Sequence, residues 1–235
     1  MKSDLDIDKQ KRADELIQYL PNIKGADKLP SLYFVGKAGS GKSYCAKFMT
    51  EKYGYRVAKF AYSLYMIAEK YFDMQRKDRR LLQVIGTDAG RDMIDPDIWV
   101  NRFEEDMRMV QITSARLGIP LPKFVMDDCR FTNEHKILQK IGFRGIYLNV
   151  SDEKRKERLV GRDGLSQEDT FNHRSETMVD LFKDDLIQLD ASGDIEDTYK
   201  KLNIILEYLA AVPEVSFASD IDKILGGNNG LGIGE

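Results

Sequence analysis

A glycine-rich run, Gly36-Lys-Ala-Gly-Ser-Gly-Lys42-Ser43, constrains the fold of this chain more than any other feature. The apolar stretch 32–35 precedes it and a helical pattern follows, so the run joins a strand to a helix. Its glycines let the backbone turn tightly, so that successive N–H groups can point at a polyphosphate. The positive end of the following helix adds to the attraction. The run therefore predicts a phosphate-binding loop for a nucleoside triphosphate.

Two side chains of the run suit the same ligand. The Lys42 ammonium can reach the β- and γ-phosphates, and the Ser43 hydroxyl can bind Mg²⁺. Glycine-rich turns also occur without ligands, but here every fixed position of the motif is filled between a strand and a helix. We expect ATP to contact Gly36, Lys37, Ala38, Gly39, Ser40, Gly41, Lys42, Ser43 and Tyr44.

Composition narrows the class of protein. With 235 residues, 42% of them hydrophobic and 32% charged, the chain has the makeup of a globular domain with appendages. A net charge of −3 gives no overall basic field, so we expect no direct nucleic-acid partner. The apolar runs are too short to cross a bilayer and the polar N-terminus does not resemble a secretory signal, so we expect a cytoplasmic protein without a membrane partner. Two cysteines make no disulfide framework, and no Cys/His spacing indicates zinc.

Strand and helix patterns alternate along the chain, which predicts an α/β fold with a five-stranded parallel sheet and helices on both faces. The predicted strands are 32–35, 55–60, 123–128, 143–150 and 186–191. The predicted helices are 5–20, 44–52, 61–72, 97–117, 133–141, 152–162 and 196–210.

The interval 61–122 is too long for a simple crossover between parallel strands, so we expect a helical insertion beside the sheet. Residues 1–30 would form an N-terminal helix and connector, and 31–211 the main domain. The glycine-rich residues 212–235 resemble a tail without an inferable role.

The third predicted strand ends in Asp127 and Asp128, followed by Arg130. The carboxyl edge of a doubly wound sheet borders the ligand crevice. Adjacent strand residues point to opposite faces, so the two acids need not share a role; one could hold Mg²⁺. Alternatively, one of them caps the turn into the next helix. Arg130 can be held by an acid and still bind a phosphate.

The segment 79–91 suits an acceptor pocket, with Arg79 and Arg91 for phosphate and Gln83 or Thr87 for a base edge. Gly86 makes a continuous helix doubtful here. Arg79 and Arg80 could equally be solvated, and a lone tryptophan such as Trp99 is more often a packing residue.

The helix 152–162 places Arg155, Arg158 and Arg162 on one face. These arginines can close over an anionic ligand, or the face can simply be solvated. The loop around Gly193 and Asp194 can border a nucleotide base, or Asp194 can serve only as a helix N-cap.

Taken together, the motifs resemble those of the bacteriophage deoxynucleoside monophosphate kinases, relatives of adenylate kinase and dephospho-coenzyme A kinase. The resemblance runs from about Leu32 to about Leu209. It is carried by GKAGSGKS (36–43), KFAYSLY (59–65), LLQVIGTDAGRDMIDPDIWV (81–100), DDCRFTNE (127–134), RLVGRD (158–163), HRSE (173–176) and LDASGDIEDTYKKL (189–202). Ser192 stands where relatives tend to have Asn before the glycine.

The resemblance implies a P-loop fold in which ATP, with Mg²⁺ as cofactor, phosphorylates a deoxynucleoside monophosphate under a lid formed by 152–176. The implied catalytic residues are Lys42, Arg130, Arg158 and Arg162. The metal would be held by Ser43 and Asp127, and Gly193 would join the ATP site. The acceptor would be bound by Lys59, Arg79, Gln83, Thr87, Arg91, Trp99, Asp128, Arg130 and Glu176. A homodimer and a host cytoplasmic location also follow from the resemblance.

Two other functions remain open from the sequence. The same fold could phosphorylate another small acceptor, such as dephospho-coenzyme A. Alternatively, the chain could be a P-loop ATPase or switch that acts on a macromolecule, although no Asn-Lys-x-Asp guanine motif is present.

Overall fold

The computed structural model describes residues 28–163 and 177–211. The predicted N-terminal helix, Glu176, most of the predicted lid loop and the C-terminal tail lie outside the described residues. Within the described part, five parallel strands form one sheet in the order β2-β3-β1-β4-β5, which confirms the predicted α/β fold. The strands are β1 (Leu32–Val35), β2 (Arg56–Val57), β3 (Phe124–Met126), β4 (Arg144–Asn149) and β5 (Ile187–Asp190).

The central strand β1 contributes to a hydrophobic core on each face of the sheet. All four of its residues are buried, as expected for a continuous apolar run in a parallel sheet. Tyr33 and Val35 belong to a core on one face of the sheet, whereas Leu32 and Phe34 belong to a second core on the other face. The alternation of strand side chains therefore builds two hydrophobic cores from one strand.

The helices follow the order that the sequence predicts. They are α1 (Lys42–Tyr53), α2 (Tyr62–Phe72), α3 (Arg79–Gln83), α4 (Ile98–Leu117), α5 (Thr132–Lys140), α6 (Asp152–Asp163) and α7 (Ile195–Ala211), with short 3₁₀ turns at Met178–Leu181 and Lys183–Asp185. The second core contains residues of α1 and α7, and the first contains residues of α4 and α5. In the part of the chain that the structure describes, no helix is both long and apolar enough to cross a membrane.

Two predicted strands are shorter than expected. β2 ends at Val57 and β3 at Met126, so Asp127 and Asp128 lie just beyond the strand. The ladder between β1 and β3 ends at the pair Tyr33 and Met126. β2 lies at the edge of the described sheet and pairs only with β3, so the short ladder to β3 limits its length.

The expectation that Gly86 interrupts the helical segment was wrong. Helix α3 continues directly into a wider, π-helical segment at Val84–Ile94. The carbonyl of Gly86 accepts a hydrogen bond of 2.8 Å from the Trp99 indole. A Cβ at Gly90 would lie 2.9 Å from the Trp99 ring and 2.8 Å from the carbonyl oxygen of Ile85. Tertiary packing against Trp99 therefore outweighs the low helix propensity of these glycines.

Candidate active site

The phosphate loop joins β1 to α1 and curls around the Lys42 side chain. The Lys42 Nζ donates to the carbonyl oxygens of Gly36, at 2.5 Å, and Lys37, at 3.1 Å. Gly36 has a φ of +151°, and a Cβ there would lie 2.7 Å from the Ser40 hydroxyl oxygen, so the tight turn requires glycine. A nearly buried cation therefore sits at the centre of the loop.

Most of the loop faces one large cavity of about 1330 Å³. The predicted ATP contacts that line it are Ala38, Gly39, Ser40, Gly41, Lys42, Ser43, Tyr44 and Gly193. Gly36 and Lys37 lie outside its wall. The Lys37 ammonium instead pairs with Asp180, 2.9 Å away, so its side chain is directed away from the cavity.

Asp127 faces the start of α1. Its carboxylate accepts a hydrogen bond of 2.7 Å from the Ser43 hydroxyl and lies 3.4 Å from the Lys59 Nζ. Burial acts to raise the pKa of Asp127, but the Ser43 hydrogen bond and the Lys59 charge outweigh it and lower the pKa. Asp127 is therefore a carboxylate at neutral pH, and with the Ser43 hydroxyl it offers the oxygen ligands that Mg²⁺ prefers.

Protein groups alone do not make a full metal site here. Among residues 28–163 and 177–211, no cluster of three His, Cys, Asp or Glu side chains could hold a metal ion. Oxygen atoms of a bound phosphate or of water could complete the coordination of a cation held by Ser43 and Asp127.

Asp128 has different surroundings from its neighbour. Its carboxylate accepts a hydrogen bond of 3.0 Å from the Ala61 N–H, which ties it to the start of α2. Burial, followed by the negative charges of Glu134 and Asp127, raises the pKa of Asp128 to about 7. The different environments of the two adjacent acids therefore shift their pKa values in opposite directions.

The buried acid Glu134, which the sequence analysis did not identify as a site residue, organises the far end of the cavity. Its carboxylate pairs with the Arg91 guanidinium and accepts hydrogen bonds from the backbone N–H groups of Arg130, at 2.7 Å, and Phe131, at 3.0 Å. Arg91 also donates to the Pro96 carbonyl, at 3.1 Å, and lies over the Phe131 ring. One carboxylate thus fixes Arg91 and the backbone that carries Arg130.

The sequence contains only a weak signal for this role. Glu134 lies in the first turn of α5, three residues after Phe131, at the Glu position of a capping box whose usual Ser or Thr partner is absent. That pattern predicts the bond to the Phe131 N–H. It says nothing about Arg91, which is distant in the chain and reaches Glu134 only through the tertiary fold.

The structure brings most of the predicted acceptor residues to the same cavity. Those that line it are Lys59, Gln83, Thr87, Arg91, Trp99, Asp128 and Arg130; Leu64, Tyr65 and Lys77 line it as well. Trp99 is 6% exposed and its indole supports the π-helical segment. The side chain of Arg79 and all of Glu176 lie outside what the structure describes.

The arginines of α6 have different partners. The Arg158 Nη2 donates to the carbonyl oxygens of Ala191, at 2.8 Å, and Gly193, at 2.9 Å, so it holds the loop that precedes α7. Arg155 contacts the phosphate loop instead, through the Ala38 carbonyl. The Asp194 carboxylate caps α7 by accepting from the Asp197 N–H at 2.8 Å, and it also lines the cavity. The side chain of Arg162 lies outside the described part.

Comparisons with known proteins give distant structural similarity. No family model matches the chain, and no curated protein matches it. The crystal structure of TT1252 from Thermus thermophilus is 20% identical, with a TM-score of 0.43, and the match covers 77% of this chain and 98% of that one. An unliganded sugar kinase from Janibacter sp. HTCC2649 is 17% identical, with a TM-score of 0.40, and the match covers 78% of this chain and 98% of that one. Similarity at this level assigns neither a substrate nor an activity.

Proposed function

We propose that this protein is an ATP-dependent kinase that transfers the γ-phosphoryl group to a deoxynucleoside monophosphate, giving a deoxynucleoside diphosphate and ADP. The observation that carries the proposal is the single cavity shared by the phosphate loop and by Gln83, Thr87, Arg91 and Arg130. Its volume of about 1330 Å³ exceeds the roughly 300–1,000 Å³ of most small-ligand pockets, so it has room for two nucleotides.

The donor end binds a triphosphate through backbone and charge. The loop supplies backbone N–H groups, and the N-terminus of α1 supplies the positive end of the helix dipole. The buried Lys42 supplies a positive charge among the phosphates. Ser43 and Asp127 would hold the Mg²⁺ that accompanies ATP and that neutralises phosphate charge when bound.

The acceptor end faces a different problem, because a monophosphate is already anionic and must approach a second anion. No general base is needed, since the attacking oxygen carries its own charge. Arg91 and Arg130 supply fixed positive charge, and Glu134 holds Arg91 in place before the substrate binds. The amide of Gln83 and the hydroxyl of Thr87 can hydrogen-bond a base edge.

The arginines of α6 are proposed to stabilise charge on the transferred group. The Arg158 Nη2 donates to the carbonyls of Ala191 and Gly193. A phosphate contact would therefore use its other N–H groups or would require those bonds to break. Arg162, one turn further along α6, is proposed for the same role.

An assay of ADP release over a panel of acceptors tests the proposal. Stimulation by deoxynucleoside monophosphates is the expected result. Stimulation by dephospho-coenzyme A alone would identify the other small-acceptor kinase. Hydrolysis that depends on DNA or protein, and on no small acceptor, would refute both kinase assignments.

Arg130→Ala tests the acceptor end specifically. We expect the kcat/KM for the acceptor to fall by about a hundredfold, because one charge-assisted contact to phosphate is lost, while ATP affinity changes less than threefold. If Arg130 is purely structural, the variant will instead melt at a lower temperature and keep normal kinetics per folded molecule.

A further inference from the structure

Arg155, in the first turn of α6, is an unusual arginine because it is buried. Only 4% of its surface is exposed, whereas its neighbours Lys154 and Lys156 are exposed. Burying a guanidinium is unfavourable unless hydrogen bonds and opposite charge compensate. Arg155 meets this requirement through the Asp152 carboxylate, at 2.6 Å from Nη2, and the Ala38 carbonyl, at 3.0 Å from Nη1. One side of its guanidinium is thus anchored within α6, and the other side holds the phosphate loop.

The bond to Ala38 determines the direction of one donor in the loop. The Ala38 C=O and the Gly39 N–H belong to the same planar trans peptide, so they point in opposite directions. Arg155 donates to the Ala38 carbonyl, so the N–H of the same peptide points away from the Arg155 guanidinium. Ala38 and Gly39 both line the cavity in which a triphosphate would lie.

Without such a bond, the backbone at this position has conformational freedom. Gly39 has a φ of +82°, and glycine adopts positive and negative φ with similar ease. Helix α6 also packs directly on this residue, because a Cβ at Gly39 would lie 2.7 Å from the Arg155 carbonyl oxygen and 3.1 Å from the Leu159 Cγ. Position 39 must therefore be glycine, whose backbone is free to rotate. Rotation of the Ala38–Gly39 peptide would move the Ala38 carbonyl, which is the group that Arg155 binds.

We propose that Arg155 is a positioning residue for the donor phosphates: it fixes the Ala38–Gly39 peptide so that the Gly39 N–H faces the triphosphate before binding. The inference relies on the proposed function only in taking a nucleoside triphosphate as the ligand of the loop. Loss of Arg155 should weaken triphosphate binding and leave the acceptor end unchanged.

Three variants of the full-length chain separate this role from general stability. Arg155→Met keeps the apolar stem and removes both bonds, and Arg155→Lys keeps the charge without the two-sided fork. Arg108→Met is the matched control, because Arg108 pairs with Glu105 at the same i,i+3 spacing, 2.9 Å away, on the exposed surface of α4. Calorimetric titration with ATP and with inorganic tripolyphosphate should show binding about tenfold weaker for the Met variant, an intermediate loss for the Lys variant and no change for the control.

A spectroscopic measurement reports on the peptide itself. Labelling with ¹³C-carbonyl alanine and ¹⁵N-glycine marks Ala-Gly pairs, which occur at 38–39 and at 89–90. Ala89→Ser removes the second signal and so assigns the first. Tripolyphosphate should shift the Gly39 amide signal in the unmodified chain, with a much smaller shift in Arg155→Met, while the Gly90 signal stays in place in both.

The proposal is overturned if Arg155→Met binds tripolyphosphate like the unmodified chain with the same Gly39 shift. It is also overturned if affinities for ATP and for the acceptor decline in parallel. Because triphosphate binding requires no turnover, a chain that phosphorylates no deoxynucleoside monophosphate can still support the role of Arg155. The role of Arg155 and the proposed kinase activity can therefore be refuted independently.

Discussion

The two ends of the cavity are built in different ways. At the proposed donor end, six consecutive residues of one glycine-rich run, Ala38 to Ser43, line the cavity. At the acceptor end, side chains from α3, the π-helical segment, α4 and the start of α5 converge from separate parts of the chain. A site made of backbone depends on local glycine spacing, whereas a site made of side chains depends on the whole fold.

The cations at the two ends of the cavity also have different partners. The Lys42 ammonium donates to two backbone carbonyl oxygens, and its charge also acts on the nearby Asp127 carboxylate. Arg91 is held by Glu134, a buried negative charge that accompanies it whether or not a ligand is present. The Arg91 guanidinium, at the proposed acceptor end, is therefore held in place in advance by an ion pair.

The largest effect is expected from Lys42→Ala at the donor end. Removing the charge among the transferring phosphates should lower kcat by roughly a thousandfold, as the loss of a main electrostatic group does in comparable sites. Circular dichroism and the melting temperature should stay close to those of the unmodified chain. Near-normal turnover would contradict the assignment of this loop as the donor site.

Glu134→Gln should have the next largest effect, and it acts on the acceptor end. The variant leaves Arg91 buried without its counter-charge, so we expect unfolding free energy in urea to fall by about 3 kcal/mol. The acceptor KM should rise while ATP affinity is unchanged. Glu104→Gln is the control, because its pair with Lys140, at 3.1 Å, is exposed and should contribute less than about 1 kcal/mol. Equal losses of stability in the two variants would show that the buried Arg91–Glu134 pair contributes no more than an exposed pair.

The contrast between local and long-range structure also explains which features the sequence predicted. The five strands and the predicted helices between 44 and 210 follow from apolar runs and helical spacing, and the structure confirms them; the predicted helix 5–20 lies outside the described residues. The helical winding of 79–94 was missed because Gly86 makes a continuous helix doubtful locally, while Trp99 stabilises the π-helical part, Val84–Ile94, from outside the segment. Glu134 was missed for a related reason, since its partner Arg91 is close only in the folded chain. Local chemistry was predictable, and long-range pairing was not.

Asp128→Asn tests whether the two neighbouring acids differ as their environments indicate. The pKa of Asp128 rises from an ordinary 3.8 to about 7 on folding, because burial disfavours its charge. Between those pH values the folded chain binds more protons than the unfolded chain, so the contribution of this site to stability is complete below about pH 4 and is lost as the pH rises through about 7.

The Asn variant lacks this titration, and its amide oxygen can still accept from the Ala61 N–H. We expect the stability of the variant, relative to that of the unmodified chain, to increase by about 2–3 kcal/mol from pH 5 to pH 8, measured by urea unfolding in EDTA. A difference that does not depend on pH would show that Asp128 is ionised throughout this range.

The smallest effect is expected from Lys37→Met, although Lys37 lies inside the phosphate loop. Its ammonium is directed at Asp180, and this hydrogen bond raises the pKa of Lys37 and keeps it charged. Both side chains are partly exposed, so the pair should contribute less than about 1 kcal/mol to stability. The kcat/KM for ATP should change less than twofold, and Asp180→Asn should give the same small loss of stability. A tenfold loss of kcat/KM in Lys37→Met alone would mean that Lys37 leaves Asp180 to bind the triphosphate, and the donor end would then depend on a mobile side chain as well as on its backbone.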